Sequence, residues 1–255
     1  MKRERAYVEN RRNQILDIMK ENPKVRVDDL AAKFKVSLIT IRRDLQYLED
    51  KKLLVRFYGG ASYANQKEVE ENEVKLYRKL IAQYAASLVE DGDSLFINTS
   101  SNALQMLTHV KCHNVTVITN NGKAIDLDYQ EGISIILTGG ELRHPKETMV
   151  GDFAIRNLQT VFPKKAFIGC SAISPISGMT TENAAEVKIN EIMIQNAKNV
   201  YVLADHTKVG KNSSFTSSPI QGIGHLITDE KAPEDVLNEL RAVGVKIHQV
   251  HKGDF

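Results

Sequence analysis

A chain of 255 residues, of which 42% are hydrophobic and 26% charged, has enough apolar side chains for a packed core, which excludes disordered and collagen-like proteins. It contains no apolar run near the roughly 18 residues of a membrane span, and its basic N-terminus lacks the apolar segment of a secretory signal, so we expect a cytoplasmic protein with no membrane partner. The net charge of +2 hides an asymmetry, with 15 basic against 9 acidic side chains in residues 1–63 and 19 against 23 in the remainder, and only the N-terminal part is therefore expected to meet a polyanion.

Three helices are predicted first, because apolar side chains recur at helical spacing in segments 5–20, 27–34 and 38–50. Only three residues separate the second helix from the third. Ser37 is a suitable N-cap for the third helix, since its hydroxyl can accept a hydrogen bond from a free amide of the first turn. One face of that helix is apolar, and the other is available for contact. The apolar face consists of Leu38, Ile41, Leu45 and Leu48.

Two helices joined by a three-residue turn are typical of helix-turn-helix proteins, in which the second helix lies in the major groove of DNA. Arginine suits guanine or phosphate oxygens, threonine suits either, and glutamine suits adenine. On periodicity alone, an ordinary solvated helix face explains the same charges equally well. The candidate DNA-binding residues on this helix are Ser37, Ile39, Thr40, Arg42, Arg43 and Gln46.

A β-hairpin follows the third helix. Segment 53–58 predicts a strand, Gly59-Gly60 predicts a tight reversal, and 61–63 predicts the returning strand. Residues 64–72 are polar and predict a linker. We therefore place a DNA-binding domain at residues 1–63 and a second domain at residues 73–255.

The second domain is predicted to be an α/β domain, because helices alternate with short apolar strands from Val74 onward. Several strands are continuous apolar runs, as in sheets buried on both faces. The predicted helices are 74–89, 103–107, 184–196 and 234–243. The predicted strands are 94–97, 115–119, 134–137, 166–169, 200–204, 224–227 and 245–250.

Polar or glycine-rich turns follow several of these strands, and open α/β sheets bind ligands at the carboxyl ends of their strands. In segment 98–102 the hydroxyls and the start of a helix could hold a phosphate, although ordinary turn and capping chemistry explains such residues as well. Glu186 and Lys188 are also explained by an ordinary surface pair. The candidate ligand-binding residues are Asn98, Thr99, Ser100, Ser101, Asn102, Thr119, Asn120, Gly139, Gly140, Thr180, Thr181, Glu182, Glu186, Lys188, Asp205 and Lys208.

Residues 10–62 resemble the DeoR family of bacterial transcriptional regulators. The resemblance implies a winged helix-turn-helix in which Thr40, Arg42 and Arg43 contact operator DNA, and in which Arg56 and Tyr58 lie at the wing. The family usually has glycine at Lys52 and histidine at Tyr58. The residues that carry the resemblance are Val36-Ser37, Thr40-Ile41-Arg42-Arg43-Asp44-Leu45, Leu48, Leu54-Val55-Arg56 and Gly59-Gly60-Ala61.

Residues 74–250 resemble the sensor domain of the same family, most clearly in Ala185-Glu186-Val187-Lys188 and in Val202 to Gly210. The resemblance implies a fold shared with ribose-5-phosphate isomerase and coenzyme A transferases, no cofactor, and a phosphorylated sugar as the effector that releases the protein from its operator. It also implies a homodimer or homotetramer that bridges half-sites. The family's phosphate loop commonly has an acid and a glycine, and the segment Asn98-Thr99-Ser100-Ser101-Asn102 lacks both.

Three alternatives stay open. A sugar-phosphate isomerase or transferase would need a base beside the sugar, and the missing acid at Asn98 argues against it. An activator or an RNA-binding regulator would use the same basic helix; readers of single-stranded RNA usually display stacking aromatics, and Phe57 and Tyr58 are too few to argue for one. A metal at His109, Cys112 and His113 would lack a fourth ligand nearby, and the two cysteines indicate neither a disulfide framework nor a zinc site.

Overall fold

The computed structural model describes residues 2–63 and 66–254, with side chains described for residues 7–63 and 71–254. The chain divides into two compact units, and the boundary lies between Glu73 and Val74.

The N-terminal unit contains three helices and a small antiparallel sheet, as predicted. The helices are α1 (Lys2–Glu21), α2 (Val27–Phe34) and α3 (Leu38–Asp50). The strands are β1 (Lys24–Arg26), β2 (Leu54–Phe57) and β3 (Gly60–Tyr63), in the order β1-β3-β2. β1 was not predicted, because three residues are too few to show an alternating pattern. The core includes Ile15, Met19, Leu30, Ile41, Leu45, Leu48 and Leu54.

The hairpin reverses at Tyr58 and Gly59, one residue earlier than predicted, and Gly60 belongs to β3, where it pairs with Phe57. Gly59 has a φ of 85°, a left-handed conformation that glycine adopts at no steric cost. Gly60 has a different reason to be glycine, because a Cβ there would collide with the carbonyl oxygen of Val25 and the ring of Phe57.

The buried face of α3 differs from the predicted one at two positions. Leu38 is 40% exposed, whereas Asp44 is 2% exposed. Leu38 is the first residue of the helix and lies outside the core. Asp44 lies beside Leu45 on the inner face, where arginines of α1 neutralise its charge.

Helix α4 (Gln66–Ser87) begins eight residues before the predicted start at Val74. Residues 66–72, part of the predicted linker 64–72, are helical. Polar composition suggested a linker, but glutamine, lysine and glutamate are also strong helix formers. Ala64 and Asn65 lie outside the described residues.

The C-terminal unit contains the following further elements. The helices are α5 (Ser101–Gln105), α6 (Asp152–Gln159), α7 (Ala184–Asn196) and α8 (Glu234–Ala242). The strands are β4 (Ser94–Ile97), β5 (Val115–Thr119), β6 (Ile133–Leu137), β7 (Glu141–Arg143), β8 (Thr148–Val150), β9 (Lys165–Gly169), β10 (Ala172–Ser174), β11 (Gly178–Thr181), β12 (Asn199–Leu203), β13 (Phe215–Ser218), β14 (His225–Asp229) and β15 (Lys246–Val250).

Seven of these strands form one parallel sheet in the order β15-β14-β12-β9-β4-β5-β6. They are the seven predicted strands, with ends displaced by at most two residues, so the predicted α/β class is confirmed. The chain runs from β4 outward to β6 and then returns to β9 on the other side of β4. The carboxyl ends of β4 and β9 therefore form a topological switch point, where such sheets bind ligands.

Two smaller sheets, β7-β8 and β10-β11-β13, were not predicted, nor was α6. Thr180 and Thr181, which were predicted to be ligand-binding residues of a polar turn, belong to strand β11. Apolar side chains pack on both faces of the main sheet, with Phe96 and Leu226 in one cluster and Leu95 and Phe167 in the other. Within the described ranges, no helix combines the length and hydropathy needed to cross a lipid bilayer.

Candidate functional site

The outward face of α3 carries two exposed arginines, Arg42 and Arg43. Neither has an ion-pair partner among the described residues. Ile39 is 61% exposed on the same helix. The face is therefore positively charged and uncompensated, as a surface that binds phosphate or guanine requires.

The remaining predicted residues of α3 already have partners. Ser37 caps the helix by accepting a 3.2 Å hydrogen bond from Thr40 N, and its Oγ lies 2.9 Å from Thr40 Oγ1. Gln46 Nε2 donates to Asp50 Oδ1 over 2.8 Å. The predicted N-cap is thus confirmed, and Thr40 and Gln46 would have to exchange an intramolecular hydrogen bond for one to DNA.

At the wing, Tyr58 is fully exposed at the tip of the hairpin. Arg56 is held against α3, because its Nε lies 2.7 Å from Glu49 Oε2 and its backbone N donates to Glu49 Oε1. Both hydrogen bonds lower the pKa of the Glu49 carboxyl, and the bond from the Arg56 backbone N has the larger effect. Arg56 therefore connects the wing to α3, whereas the ring of Tyr58 is free to meet another molecule.

A buried ion-pair cluster positions α3 against α1. Asp44 Oδ2 accepts from Arg11 Nε over 2.6 Å, and Asp44 Oδ1 accepts from Arg12 Nε over 2.8 Å. The guanidinium of Arg12 also lies 3.7 Å from the centre of the Tyr47 ring. Asp44 was not among the predicted site residues. The only available signal was a carboxylate next to the apolar stripe of a helix.

The second unit contains an open cavity of about 710 Å³ at the switch point between β4 and β9. Of the predicted ligand-binding residues, its lining includes Asn98, Thr99, Ser100, Ser101, Asn102, Thr181, Glu182, Glu186 and Lys208. It also includes Lys75, Arg78, Gln105, Lys123, Lys146, Gly169, Cys170 and Ser171, which were not predicted.

Seven predicted residues lie outside the lining of this cavity: Thr119, Asn120, Gly139, Gly140, Thr180, Lys188 and Asp205. Thr180 is buried in β11, where its Oγ1 bonds to Ala172 O and accepts from Ser213 N. The exposed Lys188 pairs with Glu191 over 3.1 Å.

Thr119, Asn120, Gly139 and Gly140 lie at or just beyond the carboxyl ends of β5 and β6, on the far side of β4 from β9. Thr119 Oγ1 accepts from Asn121 N within the turn, and Asn120 Nδ2 donates to Met149 O. Gly139 and Gly140 have positive φ values. These residues shape turns instead of facing the cavity.

Asp205 lies behind the cavity wall. It is 1% exposed, and its Oδ2 lies 2.8 Å from Nε of Arg78, which does line the cavity. Burial alone would raise the pKa of Asp205, but hydrogen bonds from Thr207 and Arg78 outweigh it and lower that pKa. Lys208 Nζ donates to Cys170 O over 2.7 Å. Both basic side chains are thereby held at the rim of the cavity.

The charge of the lining is predominantly positive, with five basic side chains against the carboxylates of Glu182 and Glu186. Among the described residues, Lys75, Lys123 and Lys146 have no carboxylate partner. Burial raises the pKa of Cys170 to about 11, so its thiol stays neutral. An anionic ligand fits this balance of charge.

Four of the five basic residues were not predicted, because Lys75, Arg78 and Lys146 do not follow strands of the main sheet and Lys123 lies four residues beyond the end of β5. Lys75 and Arg78 come from α4, Lys123 from a 3-10 turn (Gly122–Asp126), and Lys146 from the connection between β7 and β8. Only the fold brings these segments to one cavity.

Asn98 and Glu186 contribute to the architecture of the cavity. Asn98 Oδ1 accepts from Gly169 N and Ser100 N, and its Nδ2 donates to Gly169 O and Asn190 Oδ1, at 2.8–3.3 Å. It thereby joins the ends of β4 and β9. Glu186 is 6% exposed and accepts from Thr181 Oγ1 and Asn183 Nδ2.

The segment containing His109, Cys112 and His113 lies away from this cavity. Cys112 Sγ donates to Val89 O over 3.1 Å. In the described part of the chain, no three histidine, cysteine or carboxylate side chains are grouped so as to hold a metal ion.

The family profile described as DeoR-like helix-turn-helix domain matches residues 11–67, and the one described as DeoR C terminal sensor domain matches residues 75–230. The HTH-type transcriptional repressor GlcR of Bacillus subtilis is 33% identical over 253 residues, covering 94% of this chain and 96% of the relative. The lactose phosphotransferase system repressor of Staphylococcus aureus is 29% identical over 236 residues, covering 89% and 94%. Among solved structures, ribose 5-phosphate isomerase A from Methanocaldococcus jannaschii is similar at 19% identity and a TM-score of 0.36, over 52% of this chain and 53% of that chain.

Proposed function

Because the chain belongs to the DeoR family of transcriptional regulators, we propose that it represses a carbohydrate operon by binding operator DNA and that a phosphorylated sugar releases it. Residues 1–63 bind DNA in this proposal, and residues 73–255 bind the sugar phosphate. The observation that carries the proposal is the combination, in one chain, of an uncompensated arginine face on α3 with a cavity lined by five basic side chains.

The DNA-binding half is supported by the exposure of Arg42 and Arg43. Their guanidinium groups can donate two parallel hydrogen bonds to guanine O6 and N7, or bind phosphate oxygens. Phosphate contacts dominate the affinity of such surfaces and make it depend on salt. Flanking contacts are assigned to Ser37, Ile39, Thr40, Gln46, Arg56 and Tyr58.

A homodimer or homotetramer is part of the proposal. One helix-turn-helix contacts a single half-site and binds weakly, whereas two copies related by symmetry bind two half-sites.

The ligand-binding half is supported by the chemistry of the cavity. Lys75, Lys123 and Lys146 offer charge to a phosphate, and Arg78 and Lys208 are already oriented at the rim. Glu186 and neighbouring polar side chains can accept hydrogen bonds from sugar hydroxyls. No cofactor is required for this role.

A sugar-phosphate isomerase is the competing function. It requires a base beside the sugar, but Asn98 offers an amide that is already bonded to β9. The lowered pKa of Asp205 and its bond to Arg78 make that carboxylate a weak base. We therefore propose a regulator without catalytic activity. Isomerisation of ribose 5-phosphate that disappears in Asp205→Asn would overturn this assignment.

The decisive experiment is a titration of the full-length protein against a labelled fragment of the DNA upstream of its own gene. Fluorescence anisotropy should show nanomolar-range binding that weakens steeply between about 50 and 200 mM salt. Addition of sugar phosphates should then release the fragment. Equal affinity for unrelated DNA at every salt concentration would refute operator recognition.

A further inference from the structure

Asn102 differs from the other asparagines near the cavity in having a free side chain. It lies in the first turn of α5, is 6% exposed and lines the cavity. Its Oδ1 is buried without a hydrogen-bond partner. Its Nδ2 likewise forms no hydrogen bond with another described residue.

Two nearby asparagines show what an architectural role looks like. The amide of Asn98 forms four hydrogen bonds, two of which join it to Gly169 at the end of β9. Asn120 Nδ2 is bonded to Met149 O, whereas its Oδ1 is also buried without a partner, and Asn120 lies outside the cavity lining. Asn102 therefore combines burial, a place in the cavity and a free amide, a combination that neither of the other two has.

A buried amide oxygen without a partner costs free energy, because it has lost its hydrogen bonds to water. Such a group in a native structure requires an explanation. At the wall of a cavity, the explanation is a molecule that supplies the missing bonds when it binds.

The chemistry of that molecule follows from the polarity of the free atoms. Oδ1 is an acceptor and needs a donor. The dianionic phosphate group of a sugar phosphate has only acceptors, so it can pair with the basic side chains but leaves Oδ1 unsatisfied. A hydroxyl both donates and accepts, so one or two sugar hydroxyls satisfy both atoms of the amide.

We propose that Asn102 is a specificity-determining residue, whose amide recognises hydroxyl groups of the bound sugar while the basic side chains of the cavity hold its phosphate. This inference deepens the proposed function and rests on it, because it requires that the cavity binds a sugar phosphate.

The test separates hydroxyl recognition from phosphate recognition. Calorimetric titrations of the full-length protein would use glucose 6-phosphate, fructose 1-phosphate, fructose 6-phosphate, ribose 5-phosphate and inorganic phosphate. In Asn102→Leu and Asn102→Ala, we expect the sugar phosphate with the highest affinity to bind about tenfold more weakly. Inorganic phosphate should bind with unchanged affinity. Lys208→Ala, the matched control, should weaken both.

A thermal readout without ligand distinguishes recognition from architecture. Because the free amide contributes no hydrogen bond, the melting temperature of unliganded Asn102→Leu should equal or exceed that of the wild type. Asn98→Leu should melt at a clearly lower temperature. A marked fall in the melting temperature of both Asn102 variants would show an architectural role and overturn the inference.

The failures of the two proposals differ. If the wild type binds a sugar phosphate and both Asn102 variants bind it equally well, Asn102 does not recognise the sugar, whereas the proposed function stands. If no sugar phosphate binds the wild type, the proposed function fails and this inference fails with it.

Discussion

Nε of Arg78 lies 2.8 Å from Oδ2 of Asp205, so the pair joins α4 to the turn that follows β12. Asp205 is buried, whereas the side chain of Arg78 is 42% exposed and lines the cavity. A ligand phosphate that binds Arg78 would therefore meet a guanidinium already oriented by a buried carboxylate.

This pair predicts a pH dependence of stability. The pKa of Asp205 is lowered in the folded protein, so its ionised form stabilises the fold at pH values above the unfolded pKa of about 3.9. That stabilisation is lost as the pH falls through the lower, folded pKa. Asp205→Asn should lower the free energy of unfolding by about 2–3 kcal/mol at pH 7, and by less in acid. Urea unfolding between pH 7 and pH 3 measures both values. Asp128→Asn, which changes an exposed carboxylate, is the control. Parallel pH profiles of stability for the wild type and Asp205→Asn would contradict the prediction.

Arg43→Ala should weaken operator binding by about 1–3 kcal/mol without changing the melting temperature, because the side chain is exposed and has no partner to lose. If Arg43 binds phosphate, the slope of log K against log salt should fall by about 1. Lys20→Ala, on α1 and paired with Asp17, is the control. An unchanged footprint and affinity would remove Arg43 from the interface.

Asp44→Asn should destabilise the N-terminal unit by about 3 kcal/mol, because it leaves Arg11 buried without a carboxylate. Operator affinity should fall with it, since α3 loses its connection to α1. Asp50→Asn changes an exposed carboxylate on the same helix and should cost about 0.5 kcal/mol or less. Urea unfolding followed by circular dichroism compares the two variants, and equal losses would show that the buried cluster contributes little.

Lys52 has a φ of 59°, a left-handed conformation that favours glycine. This explains why glycine is usual at this position in the DeoR family. Lys52→Gly should raise the free energy of unfolding by about 1 kcal/mol, because it removes the steric cost of a left-handed lysine. Lys51, with a φ of −87°, is the matched neighbour. Lys51→Gly should lower stability instead, since glycine there only adds entropy to the unfolded chain. Thermal unfolding measures the stability of both variants. If the two substitutions change stability in the same direction, the conformational explanation is wrong.

Lys208→Ala should leave DNA affinity unchanged and abolish release by sugar phosphate. The ammonium group of Lys208 lies at the rim of the cavity, and alanine removes its contact with the phosphate. Lys188→Ala, on the exposed face of α7, is the control and should release normally. Anisotropy of the DNA-bound protein, titrated with each sugar phosphate, compares the two. If the Lys208 variant leaves the DNA at the same sugar-phosphate concentration as the wild type, Lys208 has an architectural role.

Much of the N-terminal unit could be predicted because its signals are local. The spacing of Ile41, Leu45 and Leu48 indicates the buried face of α3, and a serine before an apolar helix indicates its cap. The burial of Asp44 could not be predicted, because the arginines that neutralise it lie more than thirty residues earlier in the chain.

The residue pattern by itself determined the helix-turn-helix and the seven strands of the main sheet and indicated the polar segment 98–102 as a candidate for ligand binding, because periodicity, capping and strand ends depend on neighbours within a few positions. Only the tertiary structure decided which asparagine of that segment is architectural and which is free, and it alone brought Lys75, Arg78, Lys123 and Lys146 to one cavity. The physical reason is that hydrogen-bond partners and electrostatic fields act through space, between segments whose proximity is set by the order of strands in the sheet.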